Sequence, residues 1–131
     1  MPGSSAYFLG GVVVYSNGAK MALLEVAASD LALYGAVSEP VAKQMAEGVR
    51  RRFEADFGIG VTGVAGPDGG SPYKPVGLVY IAVADAAQTV VTRNVFPGGR
   101  MAVKKQTADK ALSMLITAVG NKSPSSPMGV C

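Results

Sequence analysis

Hydrophobic and polar positions alternate with two distinct periods along this chain, and the two periods divide it into strands and helices. From Glu39 to about Phe53 the apolar residues Val41, Ala42, Met45, Ala46, Val49 and Phe53 recur at helical spacing. This predicts an amphipathic helix with one face on a sheet. Ser38 stands where an N-cap is expected, Glu39 suits the positive end of the helix dipole, and Arg50, Arg51 and Arg52 suit the other. Short apolar runs at Phe57–Val61, Gly77–Ala84 and Thr89–Phe96 predict three strands, the last two joined as an antiparallel hairpin through Asp85–Gln88.

The β-branched run Val12–Tyr15 predicts another, buried strand. After it, Ser16 and Asn17 are natural caps for a short helix over Ala19–Val26. Ser29 and Asp30 are placed to cap a further turn, Leu31–Tyr34, that Gly35 ends. A final helix is expected from about Arg100 to Val119, with Val103, Ala111, Leu112, Leu115 and Val119 inward and Lys104, Lys105 and Lys110 largely outward. Residues 120–131 carry Pro, Ser and Gly without periodicity and are expected to form a disordered tail beyond a single domain over residues 1–119. The order of elements predicts a mixed sheet of about four strands within a three-layer α/β/α sandwich.

One segment carries more chemical information than its length suggests. Gly60–Gly70 reads GVTGVAGPDGG, with five glycines in eleven residues, between two predicted strands. Such a loop can turn tightly and bring its amides close to an anion or an oxyanion. Thr62 places a hydroxyl at the carboxyl end of a strand, where open α/β sheets bind ligands. Gly66, Gly69 and Gly70 are the candidate cradle.

Composition narrows the chemistry. The chain of 131 residues is 49% hydrophobic and 16% charged, with a net charge of +3. A globular core is affordable at that composition, and the dispersed basic residues do not describe a nucleic-acid groove. No apolar run reaches the length of a membrane span, and no secretory leader pattern precedes the domain. The single cysteine, Cys131, cannot form an internal disulfide, so a cytoplasmic location is expected. With no histidine and one cysteine, neither the usual zinc ligand sets nor a His-based triad can be assembled. No metal and no cofactor are expected, and acid–base chemistry falls to Lys, Tyr or a carboxylate.

Four segments taken together extend this reading: Pro2-Gly3-Ser4-Ser5 through Lys20, Gly35-Ala36-Val37-Ser38-Glu39-Pro40, the Gly60–Gly70 loop with Lys74-Pro75-Val76-Gly77, and Phe96-Pro97-Gly98-Gly99-Arg100. In this order they resemble the C-terminal domain of the CinA (competence/damage-inducible) family, over roughly Pro2 to Leu115. The resemblance implies a nicotinamide-nucleotide amidohydrolase, acting on a small-molecule nucleotide in pyridine-nucleotide salvage. Family members begin with a helix and a strand ending in Glu-Ser-Cys-Thr-Gly-Gly, whose serine is the proposed nucleophile. Here Met1 directly precedes Pro2, so that N-terminal strand has no counterpart in this sequence.

By the resemblance, Lys20 matches the catalytic lysine of a Ser–Lys scheme, Tyr15 the active-site tyrosine, and Thr62 a small hydroxyl residue near the substrate. Arg100, at a predicted helix N-terminus, suits phosphate together with the Gly66, Gly69 and Gly70 amides. Ser4 and Ser5 belong to a motif that caps and turns rather than attacks. The alternative to an enzyme is an inactive nucleotide-binding or interaction module; a third reading sets the natural start upstream of Met1. A missing strand would leave apolar sheet surface, so a homo-oligomer is expected. Light-scattering chromatography at micromolar concentration should show a dimer or larger species, and a sharp monomer peak would count against it.

Overall fold

A computed structural model describes residues 8–14, 16–120 and 128–130. The elements run β1 (Phe8–Gly11), α1 (Asn17–Leu24), α2 (Ala28–Tyr34), α3 (Glu39–Arg52), β2 (Phe57–Gly63), β3 (Leu78–Ala84), β4 (Thr89–Val95), α4 (Arg100–Val119) and β5 (Met128–Val130). The strands form one sheet in the order β1-β5-β2-β3-β4. β5 is parallel to both its neighbours, whereas β2, β3 and β4 are antiparallel, so the sheet is mixed. With α3 on one face and α4 on the other, the expected three-layer α/β/α sandwich is present.

The period of two in β2 and β3 decides which helix lies on which face. Phe57, Ile59, Val79, Ile81 and Val83 form one core with Val103, Ala111 and Leu115 of α4. On the opposite face the residues are small, with Ala82 and Ala84 of β3 meeting Ala42 and Ala46 of α3. Gly58 and Gly60 of β2 complete that surface, and a Cβ on them would fall 2.2 Å from the Ala46 carbonyl oxygen and 2.6 Å from that of Ala42. These glycines therefore let the backbone of α3 rest almost directly on the sheet. The same row continues across the sheet, because Gly58 is in register with Gly129 of β5, and Gly129 with Gly10 of β1.

The helices of the α3 layer are joined just as closely. A Cβ at Gly48 would lie 1.9 Å from the carbonyl oxygen of Leu24, the last residue of α1. Leu24, Val26, Leu31, Val41, Met45 and Val49 fill the space between α1, α2 and α3. α1 has the expected Ser16 cap, whose hydroxyl accepts a hydrogen bond from the Ala19 amide at 3.0 Å, but it runs two residues earlier than Ala19–Val26 at each end. Gly35 ends α2 with a positive φ of 79°. β2 extends two residues beyond the expected Val61 end, and α3 and α4 agree with the helical patterns.

Five expectations need correction. Val12–Tyr15 is not a strand over its described residues: the strand is Phe8–Gly11, and Val12–Val14 follow it outside any helix or strand. Among the described residues β1 pairs only with the three-residue β5, the ladder stops at Gly11, and Val12 and Val14 pack instead against the α1–α3 cluster. The tail is not without structure, since Met128–Val130 form β5 within the sheet. Three residues are too few to display a period, which hid this strand among Pro and Ser. Ser38 occupies the N-cap of α3 but makes no side-chain cap, and its hydroxyl donates to the Gly35 carbonyl at 2.8 Å. Likewise α2 starts at Ala28 with no side-chain cap; Gln44 of α3 accepts from the Ala27 amide at 2.6 Å and donates to Asp30.

Leu112 also departs from the inward face expected of it, being 53% exposed. Among the described residues α4 is the only helix on its face, so its β1 side borders an open groove of about 570 Å³ between Phe8, Ile59, Val61 and Ala108.

If the close seating of α3 holds the sandwich together, Gly58→Val should cost about 3 kcal/mol or more, because backbone cannot move aside as a side-chain tip can. Urea unfolding monitored by circular dichroism measures this. A loss below about 0.5 kcal/mol, the range of ordinary surface changes, would contradict it.

Candidate functional site

Two of the residues singled out from the sequence line one cleft. It has a volume of about 460 Å³ and lies between Val12–Val14, the Ala36–Val37 turn and the end of β2, with Lys20 and Thr62 among its walls. Lys20 belongs to the first turn of α1, whose Ser16 cap and Gly48 contact fix it on α3. The lysine is only 5% exposed, and its Nζ donates to the Val14 carbonyl at 3.3 Å. A buried amine has lost much of its water, which disfavours the charged form unless neighbours compensate.

Thr62 lies near the carboxyl end of β2 and is 8% exposed. Its Oγ1 donates to the Ala36 carbonyl at 2.9 Å. The hydroxyl proton is thereby spent, and the oxygen keeps its lone pairs to accept from a donor in the cleft. The remaining walls are mostly apolar, including Val37, Met45 and Val61. An apolar cleft with a few placed polar groups is the usual form of a small-molecule site.

The turn that receives Thr62 is itself held from two sides. Ser38 bonds to Gly35 from within it, and the Nζ of Lys74 donates to the Tyr34 carbonyl at 2.6 Å from the Gly-rich loop. A Cβ at Gly35 would lie 2.7 Å from that Nζ, so glycine is what permits the approach. The roles of Ala36 and Lys74 were not legible in advance, since a backbone acceptor and a lysine outside a helix carry no pattern. Lys74 in a Lys-Pro pair after the loop is the one signal that was available.

The phosphate-side candidates are placed differently. Gly66, Gly69 and Gly70 follow β2 in the loop, and Gly66 and Gly69 have φ values of 85° and 95°, conformations natural to glycine. Arg100 begins α4, is exposed, and its Nη1 donates to the Gly66 carbonyl at 3.2 Å. Of the three glycines only Gly66 is bonded to Arg100, and none of the four residues lines the cleft of Lys20 and Thr62. Tyr15, Ser4 and Ser5 lie outside the described residues.

The mixed sheet between α3 and α4 defines an α/β domain, with a Lys–Thr cleft at the carboxyl end of one strand beside a Gly-rich loop. The profile of the CinA C-terminal domain matches residues 1–119, and the chain belongs to that family. A CinA-like protein of Gemmatimonas aurantiaca is 46% identical over 129 residues, which is 98% of this chain and 30% of that protein. The chain therefore spans about 30% of the length of such curated relatives. The crystal structure of competence damage-inducible protein A (ComA) from Klebsiella pneumoniae superposes with a TM-score of 0.83 at 36% identity, covering 88% of this chain and 71% of that one. That of the competence/damage inducible protein CihA from Agrobacterium tumefaciens gives 0.78 at 41% identity, covering 80% and 65%. Among the described residues no helix is long and apolar enough to cross a membrane.

Lys74→Met should release the Gly-rich loop from the end of α2. Hydrogen exchange at the amides of residues 63–77 should speed up several-fold, with global stability lowered by less than about 1 kcal/mol. Unchanged exchange in that segment would show that the tether does not hold the loop.

Proposed function

We propose that the cleft takes a nicotinamide nucleotide by its carboxamide, as part of a nicotinamide-nucleotide amidohydrolase-like domain of cytoplasmic pyridine-nucleotide salvage. The reaction converts nicotinamide mononucleotide and water into nicotinate mononucleotide and ammonia. The observation that carries the reading is the burial of Lys20 in the same cleft as the Thr62 hydroxyl. In a Ser–Lys scheme, whose serine the family carries in its Glu-Ser-Cys-Thr-Gly-Gly segment, the lysine takes the serine proton as the hydroxyl attacks the carboxamide carbon, returns it to the leaving ammonia, and water then hydrolyses the acyl ester. Thr62, its own proton committed to Ala36, accepts from the carboxamide N–H and orients it. Tyr15 orients Lys20 or the substrate in this reading, which rests on the family match.

Gly66, Gly69, Gly70 and Arg100 are assigned to the phosphate. The guanidinium spends one donor on the Gly66 carbonyl and retains others for an anion. No metal and no cofactor enter the proposal.

A second reading, a nucleotide-binding module without chemistry, is favoured by one observation. Among the described residues that line the cleft there is no serine or cysteine, and Thr62 supplies the hydroxyl.

Calorimetric titration with nicotinamide mononucleotide, coupled to an ammonia assay on the same sample, separates the two. Under the amidohydrolase reading ammonia appears above the buffer rate, and Lys20→Met lowers that rate about 100-fold or more. Saturable binding without ammonia, weakened about tenfold by Thr62→Val or Arg100→Ala, would establish the binding module instead. Neither binding nor release would overturn both.

A further inference from the structure

Three successive peptide planes between α2 and α3 are each held by a side chain. The Tyr34 carbonyl accepts from Lys74 Nζ at 2.6 Å, the Gly35 carbonyl from Ser38 Oγ at 2.8 Å, and the Ala36 carbonyl from Thr62 Oγ1 at 2.9 Å. The donors come from the Gly-rich loop, 40 residues on from its acceptor, from the turn itself, and from β2. Each donor gives up rotamer freedom to make its bond. A peptide plane is rigid, so an anchor on one restricts the next. Lys74 is the charged donor of the three, and a charged donor holds its acceptor about twice as strongly as a neutral one. Ala36 and Thr62 line the cleft, whereas Lys74 and Ser38 are not among its walls. The string of bonds thus runs from a loop outside the cleft to a hydroxyl inside it.

What the string fixes is the direction of one proton. A threonine hydroxyl has one hydrogen and two lone pairs. With its hydrogen held by the Ala36 carbonyl, Thr62 can only accept from a ligand. A carboxamide has N–H groups to give it, and the carboxylate left by hydrolysis has none. To pair with a carboxylate the hydroxyl would have to turn, leaving the half-buried Ala36 carbonyl unmatched. A site built to pair with an N–H rejects an analogue that lacks it.

We propose that the Tyr34–Ala36 turn is a selector for carboxamide over carboxylate, in which Thr62 reads the ligand and Lys74 is the positioning residue that holds the reader. Resting on the nicotinamide-nucleotide reading of the cleft, the selector also accounts for product leaving: substrate keeps the Thr62 bond, and product loses it with the nitrogen. Lys20 meets both ligands, so its pull on a carboxylate is common to the parent chain and to variants elsewhere in the cleft.

Calorimetric titration of the full chain with nicotinamide mononucleotide and, separately, with nicotinate mononucleotide gives the ratio of the two dissociation constants. Thr62→Val keeps the shape, removes the hydroxyl, and should shift that ratio toward the carboxylate about tenfold or more. Lys74→Met should shift it the same way by at least about threefold, and Lys74→Arg, which keeps a charged donor, should restore it. Three-bond methyl couplings of Thr62 in the unliganded chain, measured by nuclear magnetic resonance, give a second readout. One rotamer is expected in the parent and in Lys74→Arg, and averaging in Lys74→Met. A ratio that Thr62→Val or Lys74→Met leaves unchanged, or a Thr62 rotamer that Lys74→Met leaves single, would overturn the proposal. If neither nucleotide binds while Lys74→Met frees Thr62, the nucleotide reading falls and the positioning of Thr62 by Lys74 stands.

Discussion

The rest of the structure depends on how closely α3 lies on the sheet. Side chains ordinarily hold a helix about 10 Å from a sheet, and here glycine and alanine on both surfaces remove that layer. Gly58 and Gly60 bring the Ala42 and Ala46 backbone against β2, while Ala82 and Ala84 extend the contact to β3. Through Gly48 the same helix takes the end of α1 against its other side. The position of α1 sets Lys20, and the start of α3 sets the Gly35–Ser38 turn that meets Thr62. The site is therefore a consequence of packing distance rather than of a local motif.

That arrangement also explains the chemical character of the cleft. A lysine that donates to a chain carbonyl, and a threonine whose proton is committed to another, place one amine and one oriented oxygen in mostly apolar surroundings. Hydrogen bonds are stronger in such surroundings, and each uncompensated one is more costly. The Gly66–Arg100 pair is not among the walls of that cleft.

Much of this was legible in the residues. The α3 stripe, the Asp85–Gln88 hairpin, the Ser16 cap and the Gly35 stop each follow from local rules, and each was found where those rules place it. What escaped was decided between distant segments. Val12–Tyr15 has the composition of a strand, but pairing needs a partner, and β5 reaches only Gly11. Met128–Val130 have no period to display, and only the glycine row across Gly10, Gly129 and Gly58 reveals why they fit. Leu112 falls on a helical stripe, yet no second helix among the described residues covers that side of α4. In the site, Lys20 and Thr62 were named in advance and line one cleft, whereas Gly66, Gly69, Gly70 and Arg100, assigned to phosphate, are not among its walls. The period-two glycines in Phe57-Gly58-Ile59-Gly60 were the unused signal, since glycine on one face of a strand announces close approach.

The central claim is that the packing of α3 creates one ligand cleft shared by Lys20 and Thr62. Amide chemical-shift mapping by nuclear magnetic resonance, with nicotinamide mononucleotide added to the full chain, tests it most directly. The account predicts the largest shifts at Val14, Lys20, Ala36, Val37, Thr62 and Gly63, with smaller ones reaching Gly66 and Arg100. Shifts confined to α4 and the groove beside Leu112, or scattered over the surface without saturation, would contradict it.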